Sequence, residues 1–253
     1  MDFLRTLYGR NETLFWFGTA NFLLGCLFML LAATSHVKVS GVNAWYKPIK
    51  FALSIGIYAW TMAWYLHYLQ PERFTWLNWT IVLALGFEIL YIGIQAARGQ
   101  LSHFNLSSPL YSSLYVMMAL AASIVTLCTL YIGLLFFKED IAGLPSAYLW
   151  GIRLGMVLFV IFSFEGFVMG SRLSHTIGHA DGGKSLPFLN WSLQYGDPRV
   201  AHFIGMHALQ IIPLLSFYVF TSVRATFVVS ILYLLLAIYV LWLALQGKPF
   251  VKW

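Results

Sequence analysis

Residues 197–215, DPRVAHFIGMHALQIIPLL, place His202, His207 and Gln210 inside an apolar run that continues to Phe220. Polar side chains in a membrane-length apolar run are costly, so each needs a partner. That partner is a neighbouring helix, a metal, a haem or a substrate. His202 and His207 stand about 140° apart around a helix, so one small metal cannot take both without a bend or a second helix. His207 and Gln210 share a face, as do Arg199 and His202. Two stations are therefore expected, Arg199 with His202 near the surface and His207 with Gln210 deeper in.

Three charges lie within the apolar segments: Glu88, Arg153 and Glu165. Glu88 sits about 15 Å along a helix from Arg98, close to mid-bilayer, and shares its face with Tyr91 and Gln95. Glu165 lies about 10 Å before Arg172 on one face. Buried carboxyls at such depth either handle protons, as catalytic groups or relays, or glue helices together as protonated acids. Lys50, Ser54, Tyr58, Thr61 and Tyr65 form a polar stripe at helical spacing. Lys50, Arg98, Arg172 and Arg199 are the candidates for contact with negative charge, beside Gln95 and Gln210 as further ligand-binding groups.

His103, His175, His202 and His207 are the candidate metal ligands, and a transition metal or haem b the candidate cofactor, since neutral imidazole is the commonest metal ligand. His175, His179 and Asp181 have ligand-like spacing provided the preceding helix continues for another turn. No CxxCH string is present, which excludes covalent c-type haem. The segment 171–199 carries HADGG, Pro187 and GDPR as turn signals. It is expected to be a shaped loop that covers the polar face together with loop 98–109, ARGQLSHFN and its neighbours.

The elements that position these groups follow from composition. The chain has 253 residues, 60% hydrophobic and 9% charged, with a mean hydropathy of +0.77. A soluble domain carries about a quarter charged residues, so an all-α integral membrane bundle is expected, as a single domain over 1–253. Seven spans are predicted at 14–34, 51–69, 76–97, 110–137, 147–170, 200–220 and 226–246. Cys26 and Cys128 fall inside spans and read as packing residues. Net charge +6 sits in loops between spans, which points to anionic lipid and not to nucleic acid. Loops 35–50, 98–109 and 171–199 and the C-terminus share one side. That side carries nine Lys and Arg, counting Lys252, against five on the other, which predicts a cytoplasmic location for it. Trp45, Tyr46, Trp76, Trp79, Trp150, Trp191 and Trp253 fit interfacial belts.

Three functions fit this pattern. The first is a redox or hydrolytic membrane protein with a His-rich metal or haem site at one face, acting on a small amphipathic or anionic ligand. The second is a proton-coupled transporter or carrier using Glu88, Glu165 and His207. The third is an accessory subunit of a larger membrane complex. No inverted repeat and no matching pair of Gly/Pro-broken spans is visible, and an odd number of spans argues against a simple duplication. Span 226–246 has no lysine, which excludes the retinal chemistry of microbial rhodopsins. It has no histidine either, unlike the zinc-binding membrane hydrolases related to alkaline ceramidases. The strings ARGQLSHFN and AHFIGMHALQ are similar to bacterial membrane proteins, which implies a bacterial cytoplasmic membrane as the location.

Overall fold

The protein is described by a computed structural model covering residues 2–69 and 71–251; Lys252 and Trp253 lie outside the described residues. The described residues are all-helical apart from one two-stranded hairpin and two isolated antiparallel bridges, Ile177 with Gly196 and Ser185 with Ser192. The helices are α1 (Asp2–Arg10), α2 (Glu12–Thr34), α3 (Tyr46–Leu66), α4 (Thr75–Ala97), α5 (Pro109–Lys138), α6 (Ser146–Arg172), α7 (Pro198–Tyr218) and α8 (Val223–Leu245). Strands β1 (Lys38–Val39) and β2 (Val42–Asn43) form the hairpin between α2 and α3.

Among the described residues six helices, α2 and α4 to α8, are long and apolar enough to cross a membrane. The expected seventh span corresponds to α3, which has 21 residues but begins at Tyr46 instead of residue 51. That start brings Lys47 and Lys50 into its first turns, and the polar stripe lowers its apolar content further. Exposed Leu23, Leu83, Leu120, Leu134, Ile161, Leu214 and Leu232 mark outward helix faces that suit lipid. Helix starts follow ordinary capping chemistry. Asn11 Oδ1 accepts from Leu14 N at 3.1 Å, and Ser222 Oγ from Ala225 N at 3.2 Å. Pro198 stands at the first turn of α7, where its missing N–H costs nothing.

The chain separates into two compact units, Met1–Cys128 and Thr129–Trp253, with the division inside α5. In the first, α2 and α3 approach closely through glycine. A Cβ on Gly56 would stand 2.8 Å from the Phe22 ring, and one on Gly18 would strike the Trp60 ring. Trp60 Nε1 donates to Phe15 O at 3.2 Å across the same seam. Ile89 and Ala96 bring α4 onto Phe28, Trp45, Ile49, Ala52 and Ile55. Asn11 Nδ2 donates to Asn78 Oδ1 at 3.0 Å between buried positions. In the second unit, α6 and α7 use the same device: a Cβ on Gly155 would stand 2.8 Å from Ala208 O, and Gly205 lies against the Phe162 ring. Ala237 and Val240 of α8 close that core, and Tyr233 Oη donates to Ile204 O at 2.6 Å. Small residues at such crossings let backbones approach where lipid offers no hydrophobic drive for helix association.

Candidate functional site

In the second unit, α6 presents Glu165 and α7 presents His202. Glu165 is buried, and neither carboxylate oxygen has a hydrogen-bond partner among the described residues. Glu165 Oε2 lies 3.4 Å from His202 Nδ1. That nitrogen is 2.7 Å from Phe162 O. A carbonyl oxygen only accepts, so Nδ1 carries the hydrogen and Nε2 is left as the ring's basic nitrogen. Gly166 makes room for the ring, since a Cβ there would stand 3.1 Å from His202 Cε1. A buried carboxyl without hydrogen bonds is costly as an anion, and an imidazole that can become imidazolium beside it offsets that cost.

His207, one turn and more along α7, donates from Nδ1 to Gln210 Oε1 at 3.3 Å, and its ring meets Phe203 at 4.4 Å between centroids. The shared face of His207 and Gln210 is therefore occupied by their own contact. Arg199 does not pair with His202: its Nε and Nη2 reach Asp197 Oδ1 and Oδ2 at 2.8 Å and 2.6 Å, and Nη2 also donates to Asn190 O. Asp197 is almost fully buried and also accepts from Ser192 N at 2.8 Å. The structure thus gives Arg199 a clamping role, tying the end of the 171–199 loop to the start of α7.

The same loop is ordered at its other end by Asp181. α6 ends at Arg172, and Leu173 adopts a left-handed conformation at φ 51°. The extra helical turn that would align His175, His179 and Asp181 is therefore absent. Instead Asp181 accepts from His175 N, Thr176 N, Ser174 Oγ and Thr176 Oγ1, and its Oδ2 lies 2.7 Å from His175 Nδ1. Partial burial pushes the Asp181 carboxyl up, but hydrogen bonds from His175 and Thr176 and the charge of His175 outweigh it. They hold it well below the usual carboxylate range. His179 stacks on Tyr195 at 4.7 Å. Arg172 is exposed at the last residue of α6.

In the first unit, Glu88, Tyr91 and Gln95 are all buried on one face of α4, as their spacing predicts. Gln95 Nε2 donates to Leu101 O at 3.0 Å and Asn105 Nδ2 donates to the same oxygen at 3.2 Å, which orders the loop after α4. Ser102 Oγ lies 3.2 Å from His103 Nδ1, and the His103 ring contacts Phe51 at 5.8 Å and Tyr115 at 6.4 Å. Arg98 caps α4 and sits 5.9 Å from the Tyr111 ring centroid. Lys50 is half-buried on α3. Sequence reasoning missed Phe162, whose carbonyl holds His202 and which no local signal marks.

A metal centre needs three or more donors converging on one point. Among the described residues no group of three His, Cys, Asp or Glu side chains does so. The closest approaches, His202 with Glu165 and His175 with Asp181, supply two groups each, and both are already held by protein contacts. No family model matches the chain, and no curated protein and no solved structure matches it.

Proposed function

We propose that the protein is a proton-coupled carrier of small carboxylate solutes in the bacterial cytoplasmic membrane. The observation that carries this reading is the Glu165–His202 pair: a buried carboxyl with no hydrogen bond beside an imidazole whose Nε2 is free to take a proton. Intramembrane acids and histidines in contact are the usual parts of proton relays. A proton arriving on His202 or Glu165 would balance the buried charge, and its departure would restore the carboxylate. Arg172, at the end of the helix that carries Glu165, supplies attraction for a carboxylate. An anion and a proton moving together carry no net charge across the low-dielectric interior.

The test uses purified protein in liposomes that are alkaline inside and acidic outside, with labelled lactate and succinate as probes. Uptake driven by the pH gradient and abolished by a protonophore is expected for at least one probe. Glu165→Gln is expected to stop accumulation against a gradient. Uptake no greater than in empty liposomes for both probes, or uptake indifferent to the gradient, overturns the reading.

A further inference from the structure

Each unit repeats the other's local construction in the same chain order. A long helix, α2 or α6, is followed by Ser–His. The serine closes the same small turn in both: Val37 N donates to Ser35 Oγ and Thr176 N to Ser174 Oγ, each at 3.2 Å. Two residues after each histidine a backbone pairing begins, Lys38 with Asn43 and Ile177 with Gly196, antiparallel in both. An Asx side chain then turns the chain into the next helix. Asn43 Oδ1 accepts from Trp45 N at 3.0 Å before α3, and Asp197 Oδ1 accepts from Arg199 N at 3.1 Å before α7.

The helices that follow align residue by residue. Lys50, Ala52, Ile55, Gly56 and Ala59 of α3 correspond to Arg199, Ala201, Ile204, Gly205 and Ala208 of α7. Ala52, Gly56, Ala59 and Ala63 are buried, as are their counterparts Ala201, Gly205, Ala208 and Ile212. On the third helix, Asn78, Ile89, Ile92 and Ala96 of α4 correspond to Thr226, Ala237, Val240 and Ala244 of α8, and all eight are buried. Both helices end in glycine at positive φ, Gly99 at 64° and Gly247 at 71°. A Cβ on Gly99 would lie 3.9 Å from Lys38 O, and one on Gly247 3.5 Å from Ile177 O, the same oxygen in the two alignments. Helical hairpins share apolar periodicity for general reasons. They do not for general reasons share a serine turn, a strand pairing and a glycine contact at matching positions.

We infer that the chain is a direct duplication of a three-helix unit, α2–α4 and α6–α8 joined by α5, in which Lys50, Tyr58 and Thr61 form the first copy's counterpart of the Arg199, His207 and Gln210 face. Three, one and three helices leave α5 as the connector, so an odd number of long helices is compatible with such a duplication. The acids are not duplicated. Glu88 corresponds to Leu236, and His202 to Leu53, so the proton pair belongs to the second copy alone. The residue pairing is independent of whether the protein couples transport to protons.

The test is made on the full chain. Residues 50–61 are replaced by the sequence of 199–210, and in a control by that of 201–212, which is the same helix two residues out of register. Two single exchanges, Tyr58→His and His207→Tyr, are compared with Ile57→His and Met206→His. The in-register chain and the matched exchanges are expected to purify as one species, with the exchanges melting within about 4 °C of the parent. The out-of-register chain and the neighbouring histidines are expected to aggregate or melt lower. Equal tolerance of the two transplants together with equal tolerance of matched and neighbouring exchanges overturns the duplication. So does loss of the matched exchanges along with both transplants.

Discussion

Glu165 Oε2 lies 3.4 Å from His202 Nδ1, yet that nitrogen gives its hydrogen to Phe162 O at 2.7 Å. The acid and the imidazole are thus held beside each other by a third group, with the carboxylate left unbonded. Removing the imidazole with His202→Ala leaves the Phe162 carbonyl without its donor, and is expected to cost about 1–3 kcal/mol in the detergent-solubilised protein. Glu165→Gln removes the buried acid while keeping its shape, and is expected to be neutral or stabilising. Thermal melting of the two variants checks the contrast; a Glu165→Gln protein less stable than His202→Ala would mean that the carboxyl is a structural bond.

The clamp at Asp197 behaves differently. Its carboxylate is buried, and Arg199 is its cationic partner. Arg199→Ala would strand a buried charge, at about 3–5 kcal/mol. Arg199→Lys is expected to recover only part of this, because a lysine cannot reproduce the forked contact to Asp197 and reach Asn190 O as well. Melting temperature and protease sensitivity of the 173–197 loop read both effects.

The loop should also respond to acid. Asp181 has a folded-state pKa below its ordinary value of 3.8, so the stability that it contributes is fully present above that value. It is lost as pH falls below it toward the folded value. Limited proteolysis between pH 7 and pH 2, with an acid-active protease at the low end, is expected to show a loop protected down to about pH 4 and increasingly cut below it. Asp181→Asn is expected to be cut throughout the range. Equal protection of both proteins at neutral pH would show that the Asp181 turn does not hold the loop.

Gly205 faces the Phe162 ring with no room for a methyl group, whereas a Cβ on Gly86 would meet only Phe17 at 3.9 Å. Gly205→Ala is expected to destabilise by about 1–3 kcal/mol or more through overpacking, with Gly86→Ala close to neutral. Paired melting curves decide this.

Most helix positions were legible in the sequence because a membrane-length apolar run leaves little choice of structure. α2 and α4 to α8 fall within three residues of their expected bounds. α3 was displaced because Trp45 and Ile49 are buried against Phe28, which draws the polar stretch WYKP into the helix. The burial of Glu88, Tyr91 and Gln95 on one face followed from spacing alone. The partner of His202 did not, because Glu165 and Phe162 lie on another helix and nothing local encodes that approach. Arg199 looked like a free cation because its partner, Asp197, was read as part of a turn signal. The repeat was hidden for a similar reason: its clearest marks are backbone contacts at Ser35, Ser174, Gly99 and Gly247, and few side chains match.

The Glu165–His202 pair is proposed to exchange a proton. Infrared difference spectra of the purified protein, titrated with pH, read this directly, with Glu165→Gln and Glu88→Gln as assignments. A protonated-carboxyl band is expected that appears and disappears with pH, is absent from Glu165→Gln and persists in Glu88→Gln. A carboxyl signal that ignores pH, or that survives Glu165→Gln unchanged, would contradict it.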